Sequence, residues 1–389
     1  MPMLTLERLL GHAGTNFLYN DWDFSGVIEF GDSAWAHLPT LSRQQLQQHG
    51  FLTRGEGTAG EILFFSSGTT GTPKMIPYDQ GDLDRVSDLC ARFAGFEGIG
   101  PHERIMVLLP LGLWTVGRIT VDGHTKNGAK VYPVDLHGGV SAWQSMAERI
   151  RPTIISSTPS VLTAWAPHYK GPRLNLVETT GEPLLLRERH YIEAKFGGFV
   201  HDAYGLSECV VGVECRMREG FHFWPDAVGV EILDPESSHP LSNGESGEIT
   251  LTSFMQEKLP ILRYRSGDRG RLLPDTCPCG HQTPRLILEG RIWDSWQMPR
   301  GVLVHPADVE LALQESRVKG RAIWKGSPGS PATPYVSDYF RPTLEIVLSE
   351  TAETSLEEIR REFLVALPEI AELIHEKEIE LGIYEKERF

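Results

Sequence analysis

The strongest constraint on the fold is an alternation of short apolar runs with longer polar segments. The runs Arg104–Leu109, Ala129–Val134 and Thr153–Ser156 have strand length and contain β-branched residues. The polar segment Ala142–Ile150 is compatible with a helix. The earlier run Glu61–Phe65 predicts a buried strand that enters a loop. Alternating strands and helices predict an α/β fold with a largely parallel sheet.

After about residue 228, strand-like segments replace the alternation of predicted strands and helices. The segments Val228–Leu233, Gly247–Thr252 and Ile261–Tyr264 resemble strands joined by Pro, Gly, Asn and Asp turns. They predict a β-rich subdomain inside a large N-terminal domain of residues 1–292. Residues 293–389 are predicted to form a small α+β domain after a hinge, which is within the usual size range of domains.

The predicted small domain alternates helices and strands. Its last predicted helix begins with a capping box of Ser355 and Glu358, and leucine, isoleucine and phenylalanine side chains follow at helical spacing. The remaining predicted elements are a helix at Ala307–Gln314 and strands at Arg321–Lys325, Thr343–Leu348 and Glu378–Ile383.

Composition excludes some classes of function. The chain has 389 residues and a formal net charge of -15, which argues against a broad nucleic-acid-binding surface. The first residues lack the charged head and apolar run of a signal peptide, and no apolar stretch approaches the roughly 20 residues of a membrane span. We therefore expect a cytoplasmic protein without a nucleic-acid or membrane partner. In a reducing compartment, its five cysteines are expected to be free or metal-bound.

The most distinctive local motif follows the first predicted strand. Its glycines permit tight turns in which backbone N–H groups converge on an anion, its hydroxyls add donors, and its lysine adds a positive charge. It is not a Walker loop, because Pro73 stands where that motif has glycine. The simpler alternative is a surface loop without a ligand. The expected phosphate-binding residues are Ser66, Ser67, Gly68, Thr69, Thr70, Gly71 and Lys74.

This segment resembles the phosphate-binding signature of the adenylate-forming superfamily, which includes acyl- and aryl-CoA ligases, luciferases and peptide-synthetase adenylation domains. The resemblance extends from about Glu61 to Glu310 and is strongest to the phenylacetate-CoA ligase branch. The branch is indicated by the stretches His222–Asp226 and Leu259–Pro284. Aryl-acid activating proteins of phenazine-antibiotic biosynthesis are also similar. The resemblance implies ATP and Mg²⁺ as cofactors.

Two further motifs follow in the order that the family has. In Tyr204-Gly205-Leu206-Ser207-Glu208, the resemblance implies that Tyr204 packs on adenine, that Ser207 approaches the phosphate and acyl groups, and that Glu208 helps to hold Mg²⁺. An aromatic face suits a purine, and oxygen ligands suit a hard cation. With Lys74, Ser207 and Glu208 are the expected catalytic residues. The turn Gly181-Glu182-Pro183 resembles the family segment whose backbone borders the adenine.

The next motifs concern the ribose and the hinge. The resemblance implies that Asp268, in Arg263–Asp268, accepts hydrogen bonds from both ribose hydroxyls, and a carboxylate suits a vicinal diol. It also implies that Arg291 contacts ribose or phosphate. Trp293 resembles an insertion, so the hinge is either Trp293 or Asp294.

Four cysteine and histidine residues form a candidate zinc site. Cys215, His222, Cys277 and Cys279 supply three thiolates and one imidazole, which is a closed tetrahedral set typical of structural zinc. Some relatives in this branch carry the same set and bind zinc. His281 is the rival imidazole, and free thiols are the simpler alternative.

The sequence departs from the family near its C-terminus. Family enzymes carry a lysine there, usually after a glycine, whereas Lys386 is the nearest candidate here and its neighbours are acidic. This departure leaves open whether the small domain supports transfer of the acyl group to CoA. It also motivates the alternative of a non-catalytic nucleotide-binding homologue.

The predicted reaction is ATP-dependent activation of a carboxylic acid to its acyl-adenylate with release of pyrophosphate. Trp114 and Val210 would line an apolar, flat-sided pocket, which favours an aryl or arylacetic acid. The expected partners are this acid and then CoA or another acyl acceptor. A homodimer stays open, because the sequence does not determine the oligomeric state.

Overall fold

The structure is a computed structural model that describes residues 2–48, 60–65, 75–112, 114–292, 296–297, 303–304, 309, 313, 320–325, 343–348, 355–375 and 380–385. None of the helices within these ranges is long and apolar enough to cross a membrane. The helices are α1 (Leu6–Gly14), α2 (Ser33–His37), α3 (Arg43–Gln48), α4 (Gln80–Phe96), α5 (Thr115–Lys126), α6 (Gly139–Ile150), α7 (Pro159–Trp165), α8 (Leu186–Phe196), α9 (Leu356–Ala366) and α10 (Pro368–His375).

The strands follow in chain order. They are β1 (Ile62–Phe65), β2 (Met75–Tyr78), β3 (Arg104–Leu108), β4 (Lys130–Pro133), β5 (Ile154–Ser157), β6 (Leu176–Thr180), β7 (Phe199–Gly205), β8 (Val210–Glu214), β9 (Phe221–Phe223), β10 (Val228–Leu233), β11 (Gly247–Ser253), β12 (Ile261–Leu272), β13 (Arg285–Arg291), β14 (Trp296–Gln297), β15 (Leu303–Val304), β16 (Gly320–Lys325), β17 (Thr343–Leu348) and β18 (Glu380–Glu385).

Eleven strands form one large sheet in the order β10-β11-β12-β13-β9-β8-β7-β6-β5-β3-β4. The pairs from β4 to β7 are parallel, and the pairs from β7 to β10 are antiparallel. Helices α5, α6, α7 and α8 connect the parallel strands, as such a sheet requires. The mixed α/β fold with a parallel sheet is therefore confirmed. The strands of the β-rich part continue the same sheet.

Helices pack closely on one another and on the parallel part of the sheet. In α5, Gly123 lies against α4, and a Cβ atom at Gly123 would lie 2.5 Å from the Cβ of Cys90. The absence of a side chain therefore lets the two helices approach. In α6, Trp143 and Ala147 are buried one helical turn apart, and they join a core that includes Trp165 and Phe196.

The first predicted strand differs in burial from the prediction. The segment Glu61–Phe65 was expected to be a buried strand, but Ile62 and Leu63 are 37% and 46% exposed. The reason is that, within the described residues, β1 pairs with β2 alone, in a two-stranded antiparallel ladder outside the large sheet.

The C-terminal elements have a core of their own. Strands β16, β17 and β18 form a three-stranded sheet, and Leu344, Ile346, Ile359 and Phe363 are buried together. Ser355 accepts a hydrogen bond from the backbone N–H of Glu358, as a capping residue does. Only 309 and 313 of the predicted helix Ala307–Gln314 are described, so that helix and the division at 292 and 293 stay predictions.

Contacts at the start of α8 join the small sheet to the helices that cover the large one. Glu345 of β17 is fully buried, and its carboxylate accepts hydrogen bonds from the backbone N–H groups of Leu186 at 2.7 Å and Arg187 at 3.3 Å. These two residues begin α8. The side chain of Arg187 also contacts Glu380 of β18.

Candidate functional site

The turn between β7 and β8 carries two of the expected catalytic residues. Backbone hydrogen bonds in both directions between Leu206 and Cys209, at 2.8 and 3.2 Å, close this turn around Ser207 and Glu208. The hydroxyl of Tyr78, at the end of β2, donates to the carbonyl oxygen of Ser207 at 3.2 Å. The hairpin of β1 and β2 therefore meets the turn at its base.

Three expected nucleotide-binding residues meet beside this turn. Tyr204, which precedes Gly205 at the end of β7, donates its hydroxyl proton to Oδ2 of Asp268 at 2.6 Å. Nε of Arg291 lies 2.9 Å from Oδ1 of the same carboxylate, because Asp268 and Arg291 are paired across β12 and β13. Burial and the adjacent carboxylate raise the pKa of Tyr204, so the phenol keeps its proton. Asp268 thus lies between an aromatic ring and a guanidinium group.

Glu208 is buried and has a phenol partner. The residue is 2% exposed, and its Oε1 accepts a hydrogen bond from the hydroxyl of Tyr264 at 3.0 Å. Burial and the nearby Glu208 raise the pKa of Tyr264, so this phenol is a donor at neutral pH. Tyr264 was not predicted as a site residue, because it lies 56 positions from Glu208 in the sequence and no local pattern links the two.

The turn Gly181-Glu182-Pro183 follows β6 at the same edge of the sheet. Gly181 has a φ of +81°, a conformation that favours glycine. The carboxylate of Glu182 accepts hydrogen bonds from the backbone N–H of Ser160 at 3.0 Å and from its hydroxyl at 2.7 Å. Glu182 therefore anchors the turn to the first residues of α7, and its side chain holds the segment that was predicted to border adenine.

The two expected pocket residues lie on different elements of the fold. Trp114 immediately precedes α5, is partly buried, and its Nε1 has no hydrogen-bond partner among the described residues. Val210 is the first residue of β8 and is also partly buried. Partial burial of both side chains suits residues that border a pocket.

Several predicted residues lie outside the described residues. These are the phosphate-loop residues Ser66, Ser67, Gly68, Thr69, Thr70, Gly71 and Lys74, the two hinge candidates Trp293 and Asp294, and Lys386. The flanks of the phosphate loop are described, and Phe65 pairs with Met75 across β1 and β2.

A group of ionisable side chains lies where α5 and the end of α4 meet β6 and β7, and it was not predicted from the sequence. Nε2 of His124 lies 2.9 Å from Glu178, and Nδ1 of His201 lies 2.8 Å from Glu97. Burial and Glu178 raise the pKa of Glu97, which favours a protonated carboxyl. Burial opposes ionisation of Glu178, but His124 and the surrounding hydrogen bonds outweigh it and lower the pKa of Glu178. Burial lowers the pKa of His201 to about 3.

The four predicted zinc ligands are brought together, although they lie up to 64 positions apart in the sequence. The ligand atoms of Cys215, His222, Cys277 and Cys279 all lie within 4.8 Å of one another. The Sγ atoms of Cys215 and Cys277 are 3.6 Å apart, and Sγ of Cys279 lies 3.5 Å from Nε2 of His222. A tetrahedral site with metal–sulfur bonds of about 2.3 Å has edges of roughly 3.8 Å, so the spacing fits zinc.

The surroundings of this cluster also suit a metal. Nδ1 of His222 is 2.8 Å from the hydroxyl of Thr283, so Nε2 faces the thiols. Burial, Arg285 and His281 lower the pKa of His222 to about 4, which keeps the imidazole neutral. Burial raises the pKa of Cys215 to about 12, and a bound cation would reverse that effect. The rival His281 does not belong to the cluster, and its ring packs on Phe96.

Comparison with known proteins places these residues in context. The sequence profile of the family described as "AMP-binding enzyme" matches residues 58–254. The phenylacetate-coenzyme A ligase of Escherichia coli (strain K12) is 34% identical over 258 residues, which are 63% of this chain and 58% of that enzyme. The phenylacetate-coenzyme A ligase of Thermus thermophilus is 32% identical over 261 residues, which are 64% of this chain and 58% of that enzyme. The chain thus spans a little under three fifths of these relatives.

Solved structures show the same fold. A 2-hydroxyisobutyryl-CoA ligase in the postadenylation state, in complex with 2-HIB-AMP, superposes with a TM-score of 0.70 and 20% identity. The superposition covers 99% of this chain and 86% of that one. The same ligase in its thioesterification state, in complex with 2-HIB-AMP and CoA, gives a TM-score of 0.69, with 21% identity and 99% and 87% coverage.

Proposed function

The chain belongs to the AMP-binding enzyme family, and from this premise we propose that it activates a carboxylic acid as its acyl-adenylate. The observation that carries the proposal is the meeting of Tyr204, Asp268 and Arg291 beside the turn that holds Glu208. In the proposed step, a carboxylate oxygen of the acid attacks the α-phosphorus of ATP. The bond between the α- and β-phosphates breaks, and pyrophosphate leaves.

The nucleotide-binding roles follow from donor and acceptor chemistry. Asp268 accepts one bond from Tyr204 and one from Arg291, and an ionised carboxylate offers about four acceptor positions. Such a carboxylate suits the two neighbouring hydroxyls of a ribose. The ring of Tyr204 offers an aromatic face to adenine. The residues Ser66, Ser67, Gly68, Thr69, Thr70, Gly71 and Lys74 are proposed to surround the phosphates.

Glu208 fits the Mg²⁺ that accompanies ATP, because hard divalent cations prefer carboxylate oxygens. When bound, Mg²⁺ would neutralise charge on the phosphates. Ser207, next to Glu208 in the turn, is proposed to approach the phosphate and acyl groups.

We propose an aryl or arylacetic acid as the substrate. Trp114 and Val210 are partly buried, apolar side chains at the two places where the pocket was predicted. The matched relatives are phenylacetate-coenzyme A ligases, which supports an arylacetic acid and CoA as the acyl acceptor. In that second step, the thiol of CoA would attack the acyl carbonyl and release AMP.

We also propose one structural zinc ion held by Cys215, His222, Cys277 and Cys279. The support is the donor set and its tetrahedral spacing. The ion would connect the end of β8 and the start of β9 to the turn between β12 and β13.

All five cysteines are free of disulfides, which supports a reducing compartment such as the cytoplasm.

The experiment that tests the function measures ATP–pyrophosphate exchange with a panel of aryl and arylacetic acids, followed by mass analysis of products with and without CoA. Acid-dependent exchange is expected, and Lys74→Ala and Glu208→Gln should reduce it at least tenfold. The exposed Lys170→Ala is the matched control for Lys74→Ala. Exchange at background with every acid would contradict adenylation, and ATP binding without exchange would identify a non-catalytic nucleotide-binding homologue.

A further inference from the structure

Tyr264 has no role in the function proposed above, yet it contacts a residue that has one. It is 1% exposed on β12, and its hydroxyl donates to Oε1 of Glu208 at 3.0 Å. We propose that Tyr264 is a positioning residue that fixes the Glu208 carboxylate for the Mg²⁺ that accompanies ATP. This inference rests on the proposed function, because it takes Glu208 as the metal ligand.

A local irregularity of β12 aims the Tyr264 side chain. Leu251 of β11 pairs with Tyr264, whereas Ser253, two residues later, pairs with Ile261, three residues earlier. β12 therefore contains one extra residue, a β-bulge, immediately before Tyr264. A bulge bends its strand and redirects neighbouring side chains, and bulges are common beside active sites.

The bulge includes strained backbone. Arg263 has a φ of +43°, which is rare for a residue with a long side chain. Such a conformation persists only where the surroundings enforce it. The strain is therefore a sign that the direction of the next residue, Tyr264, is fixed by the fold.

The side chain of Arg263 shows what enforces the conformation. Its guanidinium group is 2% exposed and pairs with Glu231 at 3.0 and 3.2 Å. It also donates to the carbonyl oxygens of Ala36, at 3.1 Å, and Leu38. Trp35 donates its indole N–H to the same Glu231 at 3.0 Å. The bulge is thus held against α2 and β10 by a buried ion pair and two further hydrogen bonds, and Trp35 links α2 to the same carboxylate.

The hydrogen bond from Tyr264 limits rotation of the Glu208 carboxylate. Mg²⁺ needs near-ideal octahedral geometry, so a ligand that is already oriented binds it better. Hydrogen bonds to metal ligands orient them, and their loss typically lowers metal affinity about 10- to 100-fold. Removal of the Tyr264 hydroxyl should therefore weaken metal binding while the ring continues to fill the core.

The test compares Tyr264→Phe with wild-type protein by titration of Mn²⁺ into the protein–ATP complex, followed by electron paramagnetic resonance. We expect Tyr264→Phe to weaken Mn²⁺ binding at least tenfold and to raise the Mg²⁺ concentration for half-maximal pyrophosphate exchange by a similar factor. In a Glu208→Gln background, the same substitution should have no further effect, because its route to the metal is gone. Tyr169→Phe is the control, since it removes the bond of a partly buried phenol to the carbonyl oxygen of Pro172, beside a different core cluster.

Two results would overturn the inference. One is a metal affinity in Tyr264→Phe within threefold of wild type. The other is an equal loss of affinity in the wild-type and Glu208→Gln backgrounds, which would show a structural effect. The metal titration needs no turnover, so it still tests Tyr264 if no acid supports exchange. In that case, the proposed function fails and the positioning role is judged by binding alone.

Discussion

Asp268→Asn should separate nucleotide binding from folding. Asparagine has the shape of aspartate and keeps one carbonyl oxygen, so the loss in the folded protein is small. The bond from Tyr204 contributes about 1 kcal/mol, and the pair with Arg291, whose side chain is 40% exposed, contributes about 0–1 kcal/mol. The free energy of unfolding should therefore fall by no more than about 2 kcal/mol.

The effect on ATP should be larger. A carboxylate that accepts bonds from two ribose hydroxyls gains about 1.5–3 kcal/mol from its charge, and that gain corresponds to roughly 10- to 100-fold in affinity. Calorimetric titration should show this loss for ATP, and the KM for the acid should stay unchanged. Asp226→Asn is the control, because Asp226 also pairs with an arginine, Arg92, but its side chain is 56% exposed. An ATP affinity within threefold of wild type would refute the assignment of Asp268 to the ribose.

Three further predictions concern metal, pH and packing. Elemental analysis should find about one zinc per chain, lost in Cys279→Ser and retained in Cys90→Ser; no zinc in freshly reduced protein would contradict the site. Burial lowers the pKa of His201 in the folded protein to about 3, whereas the same side chain in the unfolded chain binds a proton below about pH 6.5. Protonation therefore favours the unfolded chain, and the protein loses stability as the pH falls through this range. The stability advantage of wild type over His201→Gln, measured by urea unfolding, should shrink by about 1 kcal/mol between pH 7 and 5.5, and a constant difference would disprove the cause. Asp82→Asn should cost about 1.5–3 kcal/mol in the same assay, because it removes one charged partner of the buried Arg85, 2.6 Å away, while the pair of Arg85 with Glu257 remains. The partly exposed Asp84→Asn should cost less than about 1 kcal/mol, and equal losses would argue against the ion pair.

Buried strands were predictable, because their apolar runs stand out from the polar segments around them. The predicted strands Arg104–Leu109 and Val228–Leu233 agree with β3 and β10 to within one residue. β12 was predicted to end at Tyr264, but it continues to Leu272 through Ser266, Gly267 and Asp268. Those residues favour turns, and pairing with β11 and β13 overrides that preference.

The site was predictable only where short motifs carry its residues. The order of the motifs predicted that Tyr204 and Asp268 bind the same nucleotide. In the structure, the Tyr204 hydroxyl lies 2.6 Å from the Asp268 carboxylate. The contact between Tyr264 and Glu208, by contrast, depends on a bulge that has no local signature. The buried pair of Glu178 and His124 was equally invisible, because a glutamate in a strand normally indicates an exposed face.

The N-cap position of helix α8 supplies no side-chain acceptor to the first turn. The residue before it is Leu185, which has no side-chain acceptor, and the missing acceptor comes from Glu345, about 160 positions later in the chain. Loss of a helix cap costs about 0.5–2 kcal/mol, equivalent to roughly a 2- to 30-fold change in an equilibrium. Any movement of β17 away from the large sheet would uncap α8. The integrity of this helix and the position of the C-terminal sheet are therefore thermodynamically linked, and a better cap at position 185 would weaken that link.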